Sequence, residues 1–351
     1  MAPYFSFFMM NRLFCLLSVL ALLIAYSPLQ AQGSEPVTYE DIYDEPENIN
    51  KLFVAFQPIY GELWATNPSV GFGVDATYFL NNVAHFHVHA RKAYHDKFEF
   101  SRYSALSNSD MQNDIGVLNH FEFGGAYHIK DFVENSETKF ILYKKSYRGR
   151  RWTARVPLNV VLPCKVRKIY GARLGGLLFD TSTDLNRIIE RQDLTFDVLK
   201  TAEGLIMPET QLDNAGNPDD VNVFTNIDMK GFYVGASMTW IRNIAIAIDK
   251  HEPGVDDQIL TAFFDLMITP WITADNVFFN NEEYSVQDIK TIPVGARLGL
   301  DGKFNRTLSW GYGGEIGYKP GFKTGGFFAL IKISLPVYST NVNYTVEAFG
   351  K

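Results

Sequence analysis

Residues 84–91 read Ala84-His85-Phe86-His87-Val88-His89-Ala90-Arg91. In an extended chain successive side chains point to opposite faces of the sheet. Ala84, Phe86, Val88 and Ala90 therefore share one apolar face, and His85, His87, His89 and Arg91 share the other. No helical period fits this stretch. The preceding segment repeats the pattern: Val70, Phe72, Val74, Ala76, Tyr78 and Leu80 oppose Gly71, Gly73, Asp75, Thr77 and Phe79. Asn81-Asn82 lies between the two, and asparagine tolerates the positive φ that a two-residue hairpin turn requires.

The alternation recurs along the chain. Phe121, Phe123, Tyr127 and Ile129 oppose His120, Glu122, Gly124 and His128. Trp152, Ala154, Val156, Leu158 and Val160 oppose Thr153, Arg155 and Asn159. Tyr170, Ala172, Leu174 and Leu178 oppose Gly171, Arg173 and Gly175. Phe232, Val234, Ala236, Met238 and Trp240 oppose Tyr233, Gly235, Ser237 and Thr239. Val294, Ala296, Leu298 and Leu300 oppose Gly295, Arg297, Gly299 and Asp301. Trp310, Tyr312 and Ile316 oppose Ser309, Gly311, Gly313 and Glu315, and Val342 to Ala348 closes the series.

Such strands can build a soluble periplasmic sandwich, with the apolar face on a second sheet, or a barrel with that face on lipid. Three features favour the barrel. The strands run about 10 to 13 residues, nearer to membrane-crossing length than to the usual five or six. Tyr78, Trp240 and Tyr318 come just before turns, as in an interfacial girdle. An export signal precedes the strands: Arg12, then the apolar run Leu13 to Tyr26, then Ser27-Pro28-Leu29-Gln30-Ala31. Cleavage is expected after Ala31, and no other segment is apolar enough to cross a bilayer as a helix.

The expected organisation is a signal peptide over 1–31, a flexible periplasmic segment over 32–49, and an all-β, transmembrane, antiparallel up-and-down barrel over 50–351. About 14 strands are expected, with 12 as the alternative, and large outer loops at 95–117 and 180–227. Connection lengths set the orientation, since outer-membrane barrels have short periplasmic turns. With the first strand rising from the periplasm near Lys51, the links at Asn81-Asn82, Pro163-Lys165, Arg242-Asn243 and Pro320-Thr324 fall on the periplasmic side. The link 270–290 is long yet falls there too, so it hides a hairpin or is a periplasmic feature. Pro58, Pro157, Pro293 and Pro336 cannot donate to a ladder and should mark bulges or strand ends. In the outer loop, Leu185, Ile188 and Ile189 have the spacing of a short amphipathic helix.

The chain has 351 residues, 15% aromatic and 20% charged, with a net charge of −7. Removing 1–31 takes away only Arg12, leaving 31 basic against 39 acidic residues, or −8. That balance argues against a nucleic-acid partner, whose phosphates need Lys and Arg. Cys164 is the only cysteine after the signal, which excludes an intrachain disulfide or a CxxC metal site. There is no G-x-S-x-G, P-loop or H-E-x-x-H, and no enzymatic role is expected.

Asp75, His85, His87, His89, Arg91, His120, Glu122, Arg155, Arg173, Arg297 and Glu315 fall on the polar face and are expected to line the lumen, joined by Asp265. Charged lumen residues set the field of a pore, or pair with one another and plug it. His85, His87 and His89 share a face at i and i+2, an arrangement that could ligate Zn or Cu; the alternative is that they are plain polar lumen residues. The Gln30-Ala31/Gln32 cleavage region, the aromatic-rich strands and the Gly-Ala-Arg-Leu-Gly runs at 171–175 and 295–299 resemble outer-membrane barrels of the Bacteroidota. The resemblance implies a location in the outer membrane of a Gram-negative bacterium, in contact with lipid and lipopolysaccharide. It implies a porin-like barrel passing small hydrophilic solutes, or a structural barrel docking a partner in an envelope secretion or motility complex. Such barrels often end on an aromatic residue; here Phe349 is followed by Gly350-Lys351.

Overall fold

The computed structural model describes residues 39–64, 67–108, 110–143, 157–212, 216–248, 251–305 and 310–340. The segment read as an export signal, Arg155 and the strand read from Val342 lie outside the described residues. The wall of the molecule is built from β2 (Leu52–Trp64), β3 (Ser69–Leu80), β4 (Ala84–Ala93), β5 (Asn119–Leu142), β6 (Leu158–Asp184), β7 (Phe224–Ile241), β10 (Gln258–Ala274), β11 (Val294–Phe304), β12 (Gly311–Tyr318) and β13 (Phe327–Ser339). Each pairs antiparallel with its sequence neighbour in this set. Pairing of β13 with β2 closes the ring, so the sheet is a ten-stranded barrel.

Ten strands form the ring instead of the expected 14 or 12, and two links fall elsewhere than expected. Pro163-Cys164-Lys165 is no turn: it lies inside β6, opposite Glu137, Ser136 and Asn135 of β5. The strands β5 and β6 are 24 and 27 residues long. Each is about twice the membrane-crossing length, and so reads as two. The second misreading is Pro320-Thr324, which lies on the rim opposite the one from which β2 starts. With ten strands the long link 275–293 falls on that far rim, among the other long connections, and it does hold a hairpin: Val277–Phe279 pairs antiparallel with Glu282–Tyr284 across Asn280 and Asn281, both at positive φ.

The turn at Asn81-Asn82 forms as expected, with Asn81 at φ 48° and Val83 N–H donating to Leu80 O. The prolines behave as ladder-breakers. Pro58 lies in a bulge of β2, Pro336 at a register shift of β13, and Pro157 and Pro293 immediately before β6 and β11. Pro163 is tolerated because β6 pairs with β7 only from Arg167 onward, leaving the strand with one neighbour at that point.

The alternation read from the sequence maps onto the wall. Phe86, Val88, Phe121, Phe123, Leu174, Phe232, Val234 and Leu298 face outward and are exposed, while His85, His87, Glu122, Arg173 and Arg297 face inward and are buried. A sandwich would bury the first set against a second sheet; one sheet closed on itself leaves it on the outside.

Both rims carry additional structure. On the near rim, where β2 starts, the segment expected to be a flexible lead-in is ordered at its end. β1 (Tyr39–Asp44) pairs with β8 (Ile244–Ile248), which also pairs with β9 (Gly254–Asp256). This three-stranded sheet lies against the β5–β6 hairpin where it runs past the ring. Lys165 N–H donates to Asp44 Oδ2 at 2.8 Å, Thr138 Oγ1 to Asp256 Oδ2 at 2.6 Å, and Glu252 N–H to Tyr143 O at 2.7 Å. Asn50 and Asn243 tie the following residues across the rim through Asn305 and the carbonyls of Glu45 and Asn48.

On the far rim the long connections fold. The stretch read as an amphipathic helix is α2 (Leu185–Arg191), started by Asp184, whose side chain accepts from Arg187 N–H at 3.2 Å. Leu185, Ile188 and Ile189 are buried in one apolar cluster with Leu199, Met207 and Val221 of the same connection, Val277, Phe279 and Ile289 of the connection 275–293, and Leu177, Phe179 and Phe328 of the barrel. A helix α1 (Phe100–Asn108) lies beside this cap.

Candidate functional site: the ionic belt across the lumen

Three layers fill the barrel. At the near rim Phe79, Ile169, Ile241 and Ile259 form an apolar plug, packed by Ile49 and Phe53. At the far rim stands the apolar cap. Between them lies a belt of charge, and the strand registers explain how it closes.

Arg173 on β6, Gly235 on β7, Asp265 on β10 and Arg297 on β11 stand side by side in register. Arg173 reaches across β7 to Asp265, Nε to Oδ1 at 2.8 Å and Nη2 to Oδ2 at 3.2 Å. Glycine at 235 permits this, since a Cβ there would sit 2.3 Å from Asp265 Oδ1. Arg297 donates to Asp265 Oδ2 from Nε at 3.0 Å and Nη2 at 2.9 Å. It also crosses the lumen to β5, with Nη1 and Nη2 each 2.6 Å from an oxygen of Glu122. Its third carboxylate is Glu315 at 3.3 Å, which in turn accepts from Arg91 at 3.0 Å. Three guanidiniums thus meet three carboxylates, all buried except the partly buried Glu315. Such a match is needed because an unpaired ion in a dry interior costs several kcal/mol. The guanidiniums also lie over aromatic rings, Arg173 4.2 Å from the Phe263 centroid and Arg297 4.9 Å from that of Tyr233.

Tyr233 is a member of the site that the residue pattern placed on the polar face without a role. His87, Gly124, Gly175 and Tyr233 form another register row over four strands. The phenol lies flat across the two glycines and its oxygen stands 2.6 Å from His87 Nε2. A Cβ at Gly124 or Gly175 would come within 2.2 or 2.3 Å of the phenolic oxygen. His87 is also 3.4 Å from Glu122, so the ring row and the ionic belt are one network.

Apart from Arg155, which lies outside the described residues, the remaining expected lumen residues point inward too. His85 Nδ1 is 3.1 Å from His128 Nε2. His120 lies 3.6 Å from Glu122 and packs its ring edge-on against Phe179. Asp75, Thr77, Asp301 and Lys303 line an opening of about 40 Å³ toward the near rim. His89 lines a second of about 40 Å³ with His85 and His87, and Arg91 and His120 line a third of about 20 Å³. Openings of that size suit single waters. His85, His87 and His89 do not converge as metal ligands: among the described residues no three His, Cys, Asp or Glu side chains are placed to hold a metal ion.

Lys332, paired with Asp301 at 3.4 Å, and Lys319, paired with Glu62, complete the inner charges. Sequence reasoning left out both lysines and Glu62. The signal was available in β13, where Lys332 stands alone between Ile331 and Ile333 on the inward register, but not at Lys319, which lies in a connection beyond β12.

No protein-family description and no curated protein matches the chain. Among solved structures, OmpT of Vibrio cholerae with loop L8 deleted, an outer membrane protein, is similar at 12% identity and TM-score 0.19, over 82% of this chain and 100% of that one. The in-vitro folded trimer form of OmpT gives 10% and 0.19, over 82% and 100%. A deltaS2 mutant of the monoaromatic hydrocarbon channel TodX gives 9% and 0.20, over 83% and 91%. The architecture described above rests on this chain's own strand pairing.

Proposed function

We propose that this chain is an outer-membrane barrel of a Gram-negative envelope whose interior is closed, and that it serves as a structural barrel docking an envelope protein at its rims. The observation that carries the reading is the ionic belt held between two apolar plugs. An interior of ten strands is little wider than one of eight, which side chains alone can fill, and well short of the 16–18 strands with which porins leave an aqueous channel. The outward Phe, Val and Leu belt favours lipid over water as the surrounding medium, and over a soluble periplasmic location. On this reading residues 1–31 are removed on export, the near rim faces the periplasm and the cap faces outward. The near-rim sheet supplies a docking edge: among the described residues β1 pairs on one side only, and Ile42 is exposed.

Porin-like passage of small hydrophilic solutes requires the belt and both plugs to part. Purified protein in a planar bilayer separates the two functions. The closed barrel gives no conductance steps under modest voltage and co-purifies with an envelope protein. Regular steps from the intact chain would return it to solute passage.

A further inference from the structure

The largest opening among those described is not in the lumen but on the outer wall. It measures about 520 Å³, more than ten times the internal openings and within the size range of ligand sites. One side is the aromatic face of α1 and the residues before it, Phe98, Phe100 and Tyr103; the other is the wall of β2 and β13, with Leu63 and Ile331. Those two are 70% and 74% exposed, among the most exposed apolar side chains described. The floor between them is low because it carries only Gly61 and Ala329. The helix that makes the upper side is anchored. Buried Glu99, just before it, accepts from Asn67 Nδ2 and Leu118 N–H at 3.0 Å each and from Thr181 and Ser182 at 3.3 Å.

Charge stands at one place on this groove. Lys97 lines it, and exposed Lys92 lies at the end of neighbouring β4. Among the described residues the Lys97 ammonium has no ion pair. Its acidic neighbour Asp96 is taken by His95 and by the Lys97 N–H, and Glu62 turns inward to Lys319. An apolar trough continuous with the outward belt, with free cations beside it at the far rim, matches an anionic amphiphile.

We infer that this groove holds one acyl chain of the phosphorylated glycolipid of the outer leaflet, with a lipid phosphate at Lys97. The inference rests on the membrane reading above, because that reading puts the far rim in the outer leaflet.

The test uses diphosphorylated lipid A added to the full-length mature protein in mild detergent, with retained lipid counted by native mass spectrometry. One lipid A per barrel is expected. Gly61→Phe fills the trough without straining the wall, since a Cβ at 61 meets only Ile331 Cγ1, at 3.9 Å. Gly61→Phe and Lys97→Glu should each weaken retention at least tenfold, while Leu174→Phe on another part of the wall should not. Dephosphorylated lipid A should bind as weakly as Lys97→Glu. Resistance to unfolding in cold SDS confirms that each variant is folded. No retention by the wild type, equal retention by folded Gly61→Phe, or indifference to the phosphates overturns the groove. Insertion into phospholipid vesicles is scored separately. Failure to insert removes the membrane reading and the groove together; insertion without lipid A retention removes the groove alone.

Discussion

Asp265 carries two guanidiniums, and the belt stands or falls on it. Asp265→Asn would leave Arg173 and Arg297 short of a charge in a dry interior and should cost about 3–5 kcal/mol, measured by urea unfolding from lipid vesicles. Replacing Asp265, Arg173 and Arg297 together by apolar residues of similar size should recover most of that loss, because a satisfied ionic cluster contributes little net stability over good packing. Gly175→Val sets a methine carbon where the Tyr233 phenol lies and should destabilise by about 1–3 kcal/mol or more. Alternation alone put Asp75, His85, Arg91, Glu122, Arg173, Arg297 and Glu315 on one face. It could not say which of them touch. Arg297 and Glu122 stand on β11 and β5, which are not neighbours in the ring, and a chord across a lumen depends on how many strands close it.

At the scale of elements, the sequence showed hairpins where neighbouring strands were of ordinary length, as at β3–β4 with Asn81. It misled at β5 and β6. A strand of double length with a proline as its sixth residue has the local chemistry of two strands and a turn; only the missing β7 partner at Pro163 explains why the proline is tolerated. The helix α2 was legible from Leu185, Ile188 and Ile189, but whether it folds over the mouth was not, because its partners Val277, Phe279 and Ile289 come from a connection nearly a hundred residues away. The cap is a packed unit, so Ile188→Ala should loosen it by about 2–5 kcal/mol. Limited proteolysis should then cut within 192–222 several-fold faster, while the barrel keeps its resistance to cold SDS. If cleavage is unchanged, the cap does not depend on α2.

For the whole molecule, two properties are joined: an apolar exterior and a closed interior. The first was readable because outward-facing and inward-facing residues alternate with a period of two. The second was not, since the same inward Arg, His and Glu can line a pore or plug it, and strand number decides which. A cysteine scan along β7, residues 232–239, tests both at once. Cys164 is the only cysteine outside residues 1–31, so Cys164→Ser provides a clean background in a chain that begins at Gln32. Nitroxide labels in lipid vesicles are read for contact with oxygen, which concentrates in lipid, and with a water-soluble nickel complex. Positions 232, 234, 236 and 238 should meet oxygen strongly, and 233, 235, 237 and 239 should meet neither reagent. Outward labels shielded from oxygen would mean that protein, not lipid, covers the wall; inward labels reached by nickel would mean that water runs through the barrel.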